Sequence, residues 1–498
     1  MISSIHILGV LLTVGALLIV SWWSGRRVND AKSFIAGGTS GTWLVGGALL
    51  GTMAGGQSTI GTAQLAFCYG ISAWWFTAGA AIGSLLLGYV YAGPLRRSGC
   101  STLLEVVRRE YGRKAETVGS ILCMVGIFIS IVSQLLSSGA MISSFFGIPM
   151  LWASVIGAIL IMLFVFFGGI RSAGASGIVK LILLYFISLA AGVIVWNIAG
   201  GFAGLRDSVE TIYQSSSLSK FNNLTGIESI HHRYGSLVAR GVMKDMGGCL
   251  SLILGVVSTQ TYAQCIWSAS YNSTARRGSL ICAICLPVIG AACTMVGIYM
   301  RGHYVTADEL AAMQSAGEAL PTGIGVIENS AQAFPAFIMQ HLPAWLGGIM
   351  LGTLLINILG CGSGLSLGVA TILVRDVYSN LRQGAERWSQ LLQMRLSIVA
   401  VLAIAVMVAL LCSNSFINDL GFLSLGLRAV SILFPLTFAL WLPGHFKPSH
   451  VLIAMPIGVG AMLAAKLLSL PGDAVYYGLA IELLVIVFNS KIKAKTSR

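Results

Sequence analysis

Two basic residues stand inside long apolar stretches of this 498-residue chain, where a charge is costly. Lys180 lies in GIVKLILLYF, and Arg428 lies in GFLSLGLRAVSILF. The Arg428 guanidinium keeps its proton and suits a bidentate carboxylate. A substrate carboxylate is therefore one expected partner, and the alternatives are backbone carbonyls, Asp419 or Glu482. The Lys180 ammonium can serve as a fixed positive charge or as a proton carrier, unless its long side chain reaches out to the polar boundary of its stretch.

A glycine-rich polar segment, LLGTMAGGQSTIGTAQ, interrupts the second apolar stretch at residues 49–64. Each glycine weakens a helix by about 1 kcal/mol relative to alanine, so the cluster predicts an unwound segment whose carbonyls and hydroxyls line a cavity. Five stretches later, several glycines precede STQTYAQ at residues 258–264, where a second interruption is expected. Paired discontinuous helices are typical of transporter binding sites. The alternative is that these glycines only allow close helix packing.

Polar groups from three of these stretches are expected to converge at the interruptions. Their amides and hydroxyls can hydrogen-bond a small polar solute, although any one of them can equally satisfy a helix–helix hydrogen bond. The predicted solute-binding residues are Gly55, Gly56, Gln57, Ser58, Thr59, Gln134, Ser137, Thr259, Gln260, Gln264 and Arg428.

The composition dictates how these residues are held. The chain is 56% apolar and only 9% charged, whereas soluble domains carry about 25% charged residues, so an ordinary soluble enzyme is excluded. About 20 apolar residues cross a bilayer as a helix. Such runs predict an all-α polytopic membrane protein with thirteen transmembrane helices near residues 5–24, 41–68, 71–94, 117–146, 151–169, 174–198, 243–266, 278–300, 343–374, 392–413, 417–443, 449–469 and 474–489.

Charge placement predicts the orientation of these helices. If the connectors alternate from a cytoplasmic first connector, the cytoplasmic side receives most of the 30 Lys and Arg residues. The positive-inside rule then places the N-terminus outside and the C-terminus inside. We expect the protein in the cell (inner) membrane. The net charge of +13 is thus a topology signal, and no nucleic-acid partner is expected.

Several motifs, in order over residues 5–445, resemble the sodium:solute symporter family. GGTSGTWLVGGALLGTMAGG is similar to its first core helix, STLLEVVRREYG to a cytoplasmic loop, TQTYAQCIWSASYNSTARRG to the end of its second broken helix, and ATILVRDVY to the close of its ninth span. The resemblance implies one transporter domain with a LeuT-type core of two inverted five-helix repeats. These would be residues 41–198 and 243–443, with an extra helix at 5–24 and two C-terminal helices at 449–489.

The resemblance also implies a sodium site made of two backbone carbonyls in the first broken helix and a hydroxyl pair in span nine. Aligned on ATILVRDVY without gaps, the carbonyls belong to Gly51 and Ala54, and the hydroxyl pair falls on Gly360 and Cys361. A one-residue gap in span nine would instead bring Gly362 or Ser363 to this position. Sodium is a hard cation that prefers oxygen ligands, whereas a thiol suits soft metals. The sequence therefore predicts a degenerate sodium site.

A second departure lies in span six, where the resemblance implies an acidic residue. That position is Gly177 in this chain, and Lys180 follows one helical turn later. We expect Lys180 to act as a surrogate cation at the degenerate ion site. In the alternative already given, its side chain snorkels to the cytoplasmic interface.

Together these features predict a secondary active transporter, not an enzyme, that moves a small polar, carboxylate-bearing solute by alternating access without sodium. One alternative is sodium-coupled symport through a rebuilt site. Another, of a different class, is a transport-inactive receptor or regulatory subunit. We expect no cofactor and no metal beyond sodium, with sodium or a proton as the coupling ion. The expected partners are the solute and the lipid bilayer, and both a monomer and an oligomer are allowed.

Overall fold

The fold is a bundle of long helices joined by short ones. The computed structural model describes residues 4–25, 40–168, 173–216, 218–222, 224, 226–374, 390–413 and 415–490. Its helices, in chain order, are α1 (Ser4–Gly25), α2 (Thr42–Met53), α3 (Thr62–Tyr69), α4 (Trp75–Leu86), α5 (Ala92–Arg97), α6 (Leu103–Tyr111), α7 (Arg113–Phe146), α8 (Met150–Gly168), α9 (Ala173–Ala199), α10 (Gly201–Gln214), α11 (Leu218–Phe221), α12 (Gly226–Gly235), α13 (Val242–Val257), α14 (Gln260–Ser268), α15 (Asn272–His303), α16 (Ala307–Ser315), α17 (Ala333–His341), α18 (Ala344–Thr371), α19 (Gln390–Leu411), α20 (Ile417–Trp441), α21 (Pro448–Leu467) and α22 (Ala474–Ser490).

The helices establish a multi-pass membrane protein. Within the described residues, eight helices are long and apolar enough to cross a bilayer, or nine if α13 and α14 form one bent span. Each of the thirteen predicted runs coincides with a helix or with a helix pair. Thirteen crossings, and the predicted orientation of the termini, remain predictions.

The first predicted interruption is present. Helix α2 ends at Met53, Ala54 follows with φ −85° and ψ 85°, and a π-helical turn at Gln57–Gly61 leads into α3. Helix α7 passes directly against this break, because a Cβ added to Gly56 would lie 2.5 Å from the Ser137 Cβ. The glycines therefore serve both purposes suggested by the sequence, interruption and close packing.

The second predicted interruption is present as well. Helix α13 ends at Val257, α14 begins at Gln260, and their axes are bent by 48°. Gly255 lies one turn before this break, and a Cβ there would come within 2.6 Å of both the Cβ and the carbonyl oxygen of Leu425 in α20. The second break therefore lies beside a close contact between α13 and α20.

The two long connectors fold over one end of the bundle. They span residues 199–242 and 301–342 and contain the short helices α10 to α12 and α16 to α17. One detail departs from the all-helical prediction: β1 (Tyr304–Thr306) and β2 (Gly325–Ile327) form a two-stranded parallel sheet, with Tyr304 opposite Gly325. The second connector returns beside its own start, so these strands can pair although neither is long enough to be predicted from sequence.

Gly70, which ends α3, provides a test of this packing. Its φ is +58° and its ψ is −135°, a conformation that is close to glycine-only. A Cβ at Gly70 would also lie 2.2 Å from the Tyr234 carbonyl oxygen. We expect Gly70→Ala to destabilise the protein by about 3 kcal/mol or more, measured as a lower midpoint of thermal unfolding in detergent.

Gly147 is the matched control for this prediction. It has φ +59° and ψ 27°, an ordinary left-handed conformation, with no atom within 4 Å of an added Cβ. Gly147→Ala should therefore cost only about 1–2 kcal/mol. Equal effects of the two substitutions would contradict the tight contact between α3 and α12.

Candidate functional site

The hydroxyl groups predicted at the first break donate hydrogen bonds to backbone carbonyls of the same break. Ser58 Oγ and Thr59 Oγ1 donate to the Gly55 carbonyl at 3.0 and 3.1 Å, and Ser58 also approaches the Met53 carbonyl at 3.4 Å. Both side chains are buried. Freed backbone groups need such partners because a bilayer core offers no water.

Helix α7 and the π-helical turn of the first broken helix supply the amides predicted for this region. Gln134 Oε1 accepts from the Gly56 N–H at 3.2 Å, and Ser137 donates to the Ser133 carbonyl at 2.9 Å. Gln57 Nε2 is buried and has no hydrogen-bond partner among the described residues. The structure therefore brings the predicted residues of spans two and four together at the first break.

At the second break, two predicted residues point in different directions. Thr259 Oγ1 donates to the Gly255 carbonyl at 2.6 Å and faces α20. Gln260 instead binds the start of α6 and the segment before it: its Oε1 accepts from the Leu103 N–H at 2.7 Å, and its Nε2 donates to the Ser101 carbonyl at 3.4 Å. Gln264 lies one turn further along α14 and is half-buried. Of these three residues, only Thr259 has a described hydrogen bond with Arg428.

Arg428, in the middle of α20, is buried among hydroxyl groups. It is 2% exposed, and its guanidinium contacts Ser130 Oγ at 2.7 Å, Ser424 Oγ at 2.9 Å and Thr259 Oγ1 at 3.4 Å. Its Nε has no hydrogen-bond partner among the described residues. Gly126 makes room for the side chain, since a Cβ there would lie 2.8 Å from Arg428 Cγ.

Neither acid considered as a structural partner binds Arg428. Asp419 lies 2.6 Å from Arg240 Nη1, and the two oxygens of the buried Glu482 have no hydrogen-bond partner in the part of the chain that the structure describes. Within those residues, no carboxylate comes within 4 Å of the Arg428 guanidinium. The hydroxyl cluster around it was not foreseen, although Ser424, one turn before Arg428, is a local signal for it.

The predicted ion-site residues of spans two and nine also meet. Cys361 Sγ lies 4.0 Å from the carbonyl oxygens of both Gly51 and Thr52, and it is close to Gly55. The ungapped alignment thus places Cys361, next to Gly360, against the first break. A thiol at this distance is a poor substitute for a hydroxyl ligand of sodium.

One residue at this position was missed from sequence. Asn357, one turn before Cys361 on α18, is 2% exposed, and its Nδ2 donates a hydrogen bond to the Ala54 carbonyl. Ala54 is one of the two predicted carbonyl ligands. An amide N–H therefore points at the oxygen to which the resemblance assigns a cation.

The remaining two predicted ion-site residues, Gly177 and Lys180, lie in α9. The Lys180 side chain and the surroundings of Gly177 lie outside the described part of the chain. Whether Lys180 serves as a surrogate cation stays a prediction.

Ion pairs and hydrogen bonds close the bundle at both ends. At one end, Arg240 pairs with Asp245 at 2.7 Å and with Asp419 at 2.6 Å, which ties the start of α13 to the start of α20. At the other end, Arg96 donates to the carbonyls of Ile266 and Ser270 at the end of α14. Each contact joins a broken helix to a neighbouring helix.

Two helices broken at polar positions, five spans apart in a membrane bundle, define a secondary transporter fold. The sodium:solute symporter family model matches residues 33–447, and the chain belongs to this family. The members to which it is similar are carriers rather than enzymes.

Among its relatives, the chain is 21% identical to the sodium/glucose cotransporter of Vibrio parahaemolyticus, over 98% of this chain and 90% of the relative. It is 22% identical to the human high affinity choline transporter 1, over 80% and 67%. The fold resembles a Na⁺-coupled sialic acid symporter in a substrate-bound, outward-open state, with TM-score 0.68, 14% identity and 98% of both chains covered. It also resembles Mhp1, a nucleobase-cation-symport-1 transporter, with TM-score 0.53, 10% identity and coverage of 93% and 95%.

The buried ion pairs of Arg240 provide a test of the contact between the start of α13 and the start of α20. Its side chain is 2% exposed, and Asp245 is fully buried. We expect Arg240→Met to destabilise the protein by about 3–5 kcal/mol, because it leaves a buried carboxylate without its partner. Chemical or thermal unfolding of the purified protein measures this loss.

Arg108, in α6, is the control. Its side chain is 59% exposed and lies 3.7 Å from Glu116, so Arg108→Met should change stability by about 1 kcal/mol or less. If both substitutions had the same small effect, the conclusion that Arg240 forms a stabilising buried ion pair would be wrong.

Proposed function

We propose that this protein is a secondary carrier of the cell (inner) membrane that moves a small polar solute bearing a carboxylate by alternating access. The observation that supports the carboxylate is Arg428. It is a buried guanidinium at the second helix break whose described partners are three neutral hydroxyls. A buried charge without a counter-charge costs several kcal/mol, and a carboxylate on the solute would supply that counter-charge.

The surroundings of Arg428 suit such a ligand. Ser130, Ser424 and Thr259 contact the Nη atoms and hold the guanidinium plane in place, while Nε has no described partner. Arginine binds carboxylates through parallel N–H donors. Gln57 Nε2, also buried without a described partner, adds a second donor at the first break. A solute with one carboxylate and further polar groups matches these donors.

The names of the relatives support a small polar solute but not one common substrate. They include carriers named for glucose and for choline, and a structural neighbour named for sialic acid. Sialic acid is itself a carboxylic acid, whereas glucose is neutral and choline is a cation. The residue at position 428 is therefore a sharper guide to the charge of the solute than family membership is.

The proposed coupling is independent of sodium. Support comes from the donor set at the first break, where Cys361 and Gly360 replace a hydroxyl pair, and from the predicted surrogate role of Lys180. Sodium-coupled symport through a rebuilt site is the alternative, and its discriminating measurement is counterflow in proteoliposomes with and without sodium. Binding without any exchange would instead favour a transport-inactive receptor or regulatory subunit.

Arg428 provides the direct test. We expect small carboxylic acids to raise the unfolding temperature of the purified protein, and the corresponding methyl esters or amides to leave it unchanged. Arg428→Lys should weaken binding of the acid that emerges by about tenfold to a hundredfold, because it loses one charge-assisted hydrogen bond worth about 1.5–3 kcal/mol. Isothermal titration or radioligand binding measures the change.

Ser431→Ala is the matched control, since Ser431 lies on the same helix, is buried, and donates to the Leu427 carbonyl. It should leave the affinity unchanged. Acid binding that is equally strong in Arg428→Lys, or stabilisation by the esters as well as the acids, would refute the carboxylate role.

A further inference from the structure

The two helix breaks differ in how their freed carbonyl groups are hydrogen-bonded. At the first break, one donor is a side chain of α18. Asn357 and Cys361 lie one turn apart on that helix and face the break together. The Asn357 amide donates to the Ala54 carbonyl, and the side chain is 2% exposed. The contact is therefore shielded from water.

Each remaining carbonyl of the break also has a described contact. The Gly55 carbonyl accepts from Ser58 and Thr59, and the Gly56 carbonyl accepts from the Gly61 N–H at 2.9 Å. The Gly51 and Thr52 carbonyls lie 4.0 Å from Cys361 Sγ, which makes a weak contact with both. The protein thus supplies its own donors where the helix is interrupted.

This matters because unwound backbone carbonyls are the groups that coordinate a coupling cation in carriers with broken helices. A carbonyl that accepts a hydrogen bond from a buried amide is engaged by a neutral donor. A cation at the same oxygen would lie beside the amide N–H, whose partial positive charge opposes its binding there. A thiol also occupies the position where the oxygen ligands are missing, and sodium binds thiols poorly.

We infer that the Asn357 amide takes the place of a coupling cation at the first break, so that this break binds no sodium, and that residue 357 determines this property. The inference names a residue responsible for the sodium independence in the proposed function. It rests on that proposed function only for its effect on transport. It assigns the role to a described side chain on α18, independently of Lys180. Its test uses no solute, so it can fail while the carboxylate role of Arg428 stands, and the reverse also holds.

The experiment compares thermal unfolding of the purified full-length protein in sodium chloride and in choline chloride at equal ionic strength. We expect the wild-type midpoint to be the same in both salts. Asn357→Asp replaces the amide donor with a carboxylate oxygen beside the carbonyls of Ala54, Gly51 and Thr52. Because clustered oxygens attract a hard cation, this variant should be stabilised by sodium relative to choline, in proportion to sodium occupancy.

Two further variants complete the design. Asn418→Asp is the matched control, because Asn418 is also a buried asparagine beside the first broken helix but contacts the Thr62 hydroxyl instead of the carbonyls of the break. It should gain no sodium effect. Asn357→Leu fills the site with an apolar side chain and should show equal midpoints in both salts.

The inference is supported if only Asn357→Asp gains sodium-specific stabilisation. It is overturned if sodium stabilises the wild type and Asn357→Leu abolishes that effect, because the wild-type break would then hold the ion. It is also overturned if a folded Asn357→Asp protein shows no sodium effect. Folding of each variant is verified by a single cooperative transition and a monodisperse elution profile.

Discussion

The structure depends on one constraint: a helix that breaks inside a bilayer frees backbone groups that water cannot satisfy. At the first break, Ser58, Thr59 and Gln134 satisfy these groups from nearby, and Asn357 does so from α18. The helices that carry Gln134 and Asn357 must therefore pack against the break. The polar contacts at the centre of the bundle follow from the same requirement that allows the helix to unwind there.

Buried arginines are subject to a related constraint, since a buried charge also needs a partner within the protein. Arg240 meets two carboxylates, and Arg301 meets both oxygens of Glu309 at 2.9 and 2.7 Å. These pairs hold the connectors to the helix ends and give both guanidinium groups a carboxylate partner within the protein. Arg428 is different because its described partners are hydroxyls. A charge that the fold leaves unbalanced is the place where a charged solute can contribute, and this contrast supports function at position 428.

Local signals explain what could be predicted from the sequence. Apolar runs predict the helices, and glycine clusters predict the two breaks, because both depend on neighbouring residues. The meeting of Cys361 with Gly51 was predicted through a resemblance to a family, which carries long-range information. Asn357 was missed because it contacts Ala54 from 303 positions away, and one asparagine in an apolar helix gives no local sign of its partner. The contact of Gln260 with the segment before α6 was missed for the same reason.

We infer that this carrier satisfies its first break with its own side chains and leaves the Arg428 charge for the solute. A high-resolution density map of the protein in sodium-containing buffer, with an acidic solute bound, tests it most directly. We expect a carboxylate within hydrogen-bond distance of Arg428 and continuous contact between Asn357 and Ala54. An ion coordinated by the carbonyls of Gly51 and Ala54, or a solute bound away from Arg428, would contradict it.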